Sequence, residues 1–308
     1  MHNSVLLNET IDNLNLKENS VIVDCTLGYG GHSSEVLKKI KNGYLYAFDQ
    51  DMDAIKYSDS RLSKINSNYE IIYSNFSNLK TELNNRKIKK VDGIIFDLGV
   101  SSPQLDEEER GFSFHKCARL DMRMDKNNKL SAYEVVNNYE LNELITILKK
   151  YGEEKYASSI ARGIVNSRSI KPIETTLELT EIIKSSVPEK YRREKHPARK
   201  TFQAIRIEVN RELEVLETAL EDAIDLLNIG GRLCVISFQS LEDRIVKNIF
   251  RKYSEVDSKI KNLPYIPEEF KPKLKIVSKG IVASDEELDD NYRAHSARLR
   301  VAEKIKEW

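Results

Sequence analysis

The sequence predicts an α/β protein, an open and largely parallel sheet whose run of strands is interrupted by an inserted helical domain. Short β-branched runs alternate with amphipathic helical stretches across residues 21–102, the pattern of consecutive βαβ units. The same alternation returns near residue 205. Between them, residues 106–200 carry helical spacing and no convincing strand. At about 150 residues per domain, a chain of 308 suggests two domains, one of them an insertion. The expected division is therefore 1–105 with 201–308 for the sheet, and 106–200 for the insert.

Val21-Ile22-Val23-Asp24 reads as the first strand, running into Gly28-Tyr29-Gly30-Gly31 and a helix with Val36, Leu37 and Ile40 on one face that stops at Gly43. Tyr44–Asp49, Glu70–Tyr73 and Val91–Asp97 are the next strands. Helices marked by Ile55, Leu62 and Ile65, then by Leu79 and Leu83, lie between them. In the insert, Leu141, Leu144, Ile145 and Leu148 keep helical spacing, as do Leu179, Ile182, Ile183 and Val187. Leu213, Leu216, Leu220, Ala223, Ile224 and Leu227 mark a later helix, with Gly230-Gly231 expected to stop it. Leu233–Phe238 follows as a strand, and Ser240 with Asp243 resembles the capped start of another helix. Leu274–Val277 and Ala297–Val301 are expected to finish the sheet as an antiparallel pair. Because the fourth strand ends at the carboxyl edge, where open α/β sheets bind ligands, a substrate clamp is the natural use of the insert.

Composition narrows the class. With 40% hydrophobic and 32% charged residues the chain is globular rather than disordered. Lys+Arg (49) balances Asp+Glu (49), so any nucleic-acid surface must come from local segregation of charge. No apolar run approaches the roughly 18 residues of a membrane span, and the N-terminus carries no secretory pattern. Cys25, Cys117 and Cys234 are odd in number, scattered and without a C-x-x-C pair, which argues for a reducing cytoplasm and against a disulfide framework or a zinc site. No metal is expected, no membrane partner either, and the sequence carries no signal for an oligomeric state.

The glycine segment Asp24–Ser33 sits between strand and helix, where a backbone without side chains lets a ligand approach closely. Its G-x-G-G-H-S pattern replaces the third glycine of the dinucleotide fingerprint with Ser33. Asp49 ends the next strand 21 residues after Gly28, the placement that lets a carboxylate grip ribose hydroxyls; the plain alternative is a solvated strand-end acid. Together these features point to an adenosine-containing ligand, NAD or S-adenosylmethionine. Two further strand ends favour the second. Phe76 after the third strand offers a ring for adenine, or a core side chain. Asp97-Leu98-Gly99-Val100-Ser101-Ser102-Pro103-Gln104 after the fourth places polar groups where a methyl acceptor would be held.

Over nearly its whole length the chain closely resembles the bacterial small-subunit ribosomal RNA methyltransferase H family. The resemblance is carried by His2 with Val5-Leu6-Leu7, Asp24–Ser33, Phe96–Asp106, Arg110–Phe114, Leu120–Asp125, His196–Ala204, Ser240–Arg244 and Ser296–Arg300. It implies a class I S-adenosylmethionine-dependent methyltransferase (Rossmann-like) sheet with an inserted helical substrate domain. It also implies methylation of N4 of a decoding-region cytidine, position 1402 of 16S rRNA, in the small ribosomal subunit. Carried over by position, the family's contacts with S-adenosylmethionine fall on Gly30, Gly31, His32, Asp49, Phe76, Asp97 and Gln104. The chain departs from the family at Cys117, Arg119, Gln239 (usually histidine) and Tyr292 (usually proline).

Asp97, Ser101 and Ser102 are the candidate catalytic groups, as acceptors near the cytidine amine, and Phe112 and Phe114 are candidates for stacking on the base. For RNA, residues 189–211 hold eight Lys/Arg (Lys190, Arg192, Arg193, Lys195, Arg199, Lys200, Arg206 and Arg211) against three Glu. Of these, Arg192, Arg193, Lys195, Arg199 and Lys200 are the expected contacts. The acidic stretch 285–290 reads as a solvated loop. A methyltransferase of another exocyclic amine and a non-catalytic RNA-binding factor are the competing functions.

Overall fold

The computed structural model describes residues 4–99, 108–194, 196–256, 260–261 and 264–307. Its contacts separate two compact units, Met1–Gly99 with Leu213–Trp308, and Val100–Glu212.

The first unit is built on a seven-stranded sheet in the order β3-β2-β1-β4-β5-β7-β6. The strands are β1 (Val21–Asp24), β2 (Tyr44–Asp49), β3 (Tyr69–Tyr73), β4 (Val91–Asp97), β5 (Leu227–Ser237), β6 (Leu274–Ile281) and β7 (Arg298–Lys304). Strands β1 to β5 are parallel, whereas β7 runs antiparallel to both β5 and β6. This is the class I methyltransferase sheet, with the late antiparallel pair the sequence predicts.

Adjacent strand residues are buried on opposite faces, which is why the strands read as unbroken apolar runs. Val23, Tyr46, Phe48, Ile94 and Phe96 pack on one side with α11 (Glu212–Leu226) and α12 (Ser240–Ser254). Ile22, Leu45, Ala47 and Ile95 pack on the other, with α1 (Leu7–Asn13) and α2 (Gly31–Lys39) supplying Ile11, Val36 and Leu37. Helices α3 (Met52–Leu62) and α4 (Leu79–Asn85) complete the crossovers. Since β1 pairs with both β2 and β4, the chain leaves β1 in one direction and returns to its other side. The point where the strand order reverses therefore lies at the carboxyl ends of β1 and β4.

Several expected boundaries move. Helix α11 ends at Leu226, and Gly230-Gly231 lies inside β5 rather than stopping the helix. Val91 pairs with Leu227 but Gly93 pairs with Arg232, so β5 bulges across the glycines, and Gly230 takes a positive φ of 84° there. Residues Asp285–Asp290 form α13 rather than a loop, capped by Ser284 accepting from the Glu287 N–H. The expected Ser240/Asp243 cap is also displaced: Gln239 is the cap residue of α12, and Asp243 instead forms a bidentate pair with Arg300.

The second unit is helical: α5 (Ala132–Asn138), α6 (Leu141–Lys150), α7 (Ala157–Arg168), α8 (Thr176–Ser185), α9 (Glu189–Glu194) and α10 (Ala198–Asn210). It extends past the expected boundary at residue 200, because α10 buries Phe202, Ala204, Ile205, Ile207 and Val209 against α5, α6 and α8. The Leu120–Asp125 motif is a brace. Asp121 grips Arg123 at 2.7 Å, and Asn210 at the end of α10 donates to the Met122 carbonyl and accepts from the Met124 N–H.

Candidate active site at the strand ends

The glycine turn is shaped by carboxylates facing backward. Asp24 ends β1 fully buried, where it accepts from the Thr26 N–H (3.0 Å) and the Ser33 hydroxyl (2.7 Å). Burial raises its carboxyl above the ordinary range, and the Ser33 and Thr26 bonds oppose that. The Thr26 hydroxyl in turn accepts from the Asp97 N–H at 2.6 Å, joining the turn to the end of β4. Gly30 needs its glycine: φ is +71°, and an added Cβ would meet the Ser58 hydroxyl at 3.3 Å. A Cβ on Gly31 would strike Ser4 Oγ at 1.8 Å.

Asp49 ends β2 half-buried. One of its oxygens accepts from the Gly28 N–H and the other from the Asp51 N–H, both at 2.8 Å, so it holds the turn as well as facing outward. Burial pushes its carboxyl up to about 6, against the pull of those two bonds. Phe76 opens the turn after β3, with its ring edge-on to Phe96 at 5.5 Å and only partly buried. Ser101, Ser102 and Gln104 lie outside the described residues.

Asp97 is the least comfortable group in the site. Its Oδ1 is buried and has no hydrogen-bond partner among the described residues, and its Oδ2 lies 3.7 Å from His32 Nδ1. Burial, then the charges of Asp24 and Glu242, push its carboxyl up to about 8. Burial also holds His32 down to about 4, against a hydrogen bond to the Val5 backbone. Both shifts work against charge on either side of this contact, so it is weaker than its 3.7 Å spacing suggests. His32 Nε2 is likewise buried and unpartnered among the described residues. Two polar atoms left unsatisfied at the point of strand reversal are expensive unless a ligand meets them, and they suit a ligand that brings positive charge. Among the described residues, no group of three or more His, Cys, Asp or Glu could hold a metal, and no helix is long and apolar enough to cross a membrane.

The model of the MraW methylase family matches residues 1–305. The chain belongs to this family. It is 55% identical over 308 residues to the ribosomal RNA small subunit methyltransferase H of Exiguobacterium sibiricum, covering 99% of each chain. To that of Lactobacillus delbrueckii subsp. bulgaricus it is 52% identical over 311 residues, with the same coverage of both. A crystal structure of an rRNA methylase from Streptococcus thermophilus overlaps 99% of both chains at 14% identity and a TM-score of 0.45. As a member of this family the chain is an S-adenosylmethionine-dependent methylase, and both relatives are named as methyltransferases of small-subunit ribosomal RNA.

Within the helical unit, the basic segment is less free than its composition suggests. Arg206 is held bidentate by Glu212, Arg193 pairs with Glu189, and Lys200 donates to the Glu153 carbonyl. Arg192 and Arg199 are exposed, with no carboxylate partner among the described residues; Lys195 lies outside them. Phe112 is buried with the Arg110 guanidinium 5.9 Å from its ring centre, and Phe114 stacks on His196 at 4.4 Å with Phe202 at its edge. Both rings are packed in the protein rather than held open for a base.

Sequence reasoning missed Asp24, Thr26, Ser58 and Glu242. Asp24 had the same strand-end signal as Asp49. Thr26, and Ser58 with its 2.6 Å bond to the Gly28 carbonyl, act on backbone groups, which only the folded turn reveals.

Proposed function

We propose that this MraW methylase transfers a methyl group to the exocyclic N4 of a decoding-region cytidine of 16S rRNA, acting in the cytoplasm on the small ribosomal subunit. The unpartnered, buried Oδ1 of Asp97 at the end of β4 carries the reading, because an amine that must lose a proton needs an acceptor already in place. The cytosine amine is a poor nucleophile, since its lone pair is delocalised into the ring. S-adenosylmethionine, when bound, supplies an electrophilic methyl on a sulfonium whose sulfur keeps the S–CH3 electron pair.

Asp97 is expected to ionise when positive charge sits beside it, then to accept one N4–H and take the surplus proton as the new N–C bond forms. Gly30 and Gly31 let the ligand approach the backbone, Asp49 keeps lone pairs for ribose hydroxyls, and Phe76 offers a ring to adenine. His32 Nε2 and Gln104 supply further polar contacts to the cofactor, and Ser101 and Ser102 join Asp97 as acceptors beside the amine. Holding donor and acceptor in line, with water excluded, provides the rest of the rate. In the helical unit, Arg192, Arg193, Lys195, Arg199 and Lys200 are assigned to phosphate, with Arg192 and Arg199 carrying most of it.

Nucleoside mass mapping of rRNA from cells with and without the gene tests the reading. One N4-methylated cytidine should disappear with the gene and return when the purified protein is given small subunits. Unchanged cytidine methylation, with a different base amine losing its methyl, would replace cytidine by that base.

A further inference from the structure

We propose that Gln239 reads the substrate: its side-chain carbonyl accepts a hydrogen bond from the amine that is methylated. This rests on the reading of the site as an amine N-methyltransferase. Gln239 follows β5 and precedes α12, with extended backbone (φ −138°, ψ 155°). Its amide orientation is dictated by Glu242. One Glu242 oxygen accepts from the Gln239 Nε2 group at 2.9 Å, and the other from the Phe238 and Gln239 N–H groups at 2.9 and 3.3 Å. A carboxylate can only accept, so the amide nitrogen must face it and Oε1 must face away.

That Oε1 is buried and has no partner among the described residues. Gln239 and Glu242 pair as a capping box at the start of α12, yet no hydrogen bond of normal geometry reaches Oε1 from the first N–H groups of the helix. The acceptor is therefore left for something else, and its neighbourhood is that of Asp97. Strands β4 and β5 pair Asp97 with Ile236, the Leu98 N–H donates to the Ile236 carbonyl at 3.0 Å, and a Cβ on Gly99 would come within 3.7 Å of the Phe238 ring. Glu242, which orients Gln239, also acts electrostatically on Asp97.

An exocyclic amine presents two N–H bonds. Acceptors on two adjacent strand ends, Asp97 Oδ1 and Gln239 Oε1, engage both and fix rotation about the C–N bond, so that the lone pair faces the methyl group. A base with a carbonyl at that position meets two acceptors and is rejected.

Full-length protein carrying Gln239→Met or Gln239→His is compared with wild type in single-turnover methylation of unmodified small subunits, with S-adenosylmethionine affinity measured by calorimetry. Gln239→Met should lower the rate about 10- to 100-fold at saturating cofactor and subunits, leaving cofactor affinity within about 2-fold. In Gln239→His, one imidazole nitrogen can donate to Glu242 while the other accepts, so at least half of that loss, on a logarithmic scale, should be recovered. A Met variant within about 3-fold of wild type, a parallel loss of cofactor affinity, or a His variant no better than Met each overturns the proposal. Product analysis separates the two readings. A wild-type product on another base amine refutes cytidine and leaves the Gln239 comparison decisive, whereas a product on carbon or ribose overturns both.

Discussion

Replacing Asp97 with Asn should stabilise the ligand-free protein while destroying its activity. In the unfolded chain the carboxyl ionises above its ordinary 3.8, but in the fold it keeps its proton until about 8. A raised acid contributes stability that is complete below the unfolded value and is lost as pH climbs to the folded one, so wild type weakens from about pH 4 to pH 8. Asn, neutral throughout, escapes this. Moving from 3.8 to about 8, at about 1.4 kcal/mol for each tenfold change in proton affinity, sets a ceiling near 6 kcal/mol. The side chain is 26% exposed, and water reaching it reduces the expected gain to about 2–4 kcal/mol above pH 8. At roughly 2–4 °C per kcal/mol for a chain of this size, Asn should raise Tm by about 5–10 °C at pH 9 and only slightly at pH 5. Scanning calorimetry of both proteins from pH 5 to 9 reads the difference directly, and a Tm gap that does not grow with pH refutes the argument. Cofactor affinity supplies the other half: wild-type binding should strengthen with pH up to about 8 and release a proton, and Asn should do neither. Single-turnover methylation should fall about 10²–10³-fold with RNA binding intact. Near-native rates at saturating cofactor would rule out a catalytic Asp97.

Asp49→Ala removes a charge-assisted acceptor and should weaken S-adenosylmethionine binding roughly 10- to 150-fold by calorimetry, and unchanged affinity would detach Asp49 from the cofactor. Arg192→Ala/Arg199→Ala should flatten the salt dependence of RNA affinity by about 1–2 units of log–log slope, whereas Arg206→Ala, already neutralised by Glu212, should leave the slope alone. Thr26→Val deprives the Asp97 N–H of its acceptor and should cost about 1–3 kcal/mol of stability, read as a lowered Tm.

The sheet was legible because the strands are buried on both faces: Ile22 and Val23, or Ile94 and Ile95, read as apolar runs short enough to be strands. Asp49 and Asp97 were legible because each is the last residue of such a run. What escaped depends on pairing partners. Nothing local shows that β5 starts at Leu227, since the bulge over Gly230-Gly231 exists only opposite Val91 and Gly93. The Asp285–Asp290 helix was missed for a different reason. Its Ser284 cap and the Glu287 three residues on are visible in the sequence, but so acidic a composition equally fits a solvated loop. In the basic segment the charges could be counted, but the partners that neutralise Arg206 and Arg193 could not. Gln239 could be seen only as a departure, because the direction of its carbonyl is set by Glu242 after α12 has formed.

The carboxylates at the ends of β1, β2 and β4 explain why stability and activity should part company in this site. Asp24 raises the proton affinity of both Asp49 and Asp97, and His32, held neutral by burial, offers no compensating charge. Such a cluster weakens the empty fold, and a cationic ligand relieves it. A residue retained for packing or for a turn should lose stability and activity together on replacement, as Thr26→Val is expected to. A residue held in an unfavourable protonation environment for its chemistry should gain the first and lose the second. The sign of the stability change in Asp97→Asn therefore separates the two roles where an activity assay alone could not.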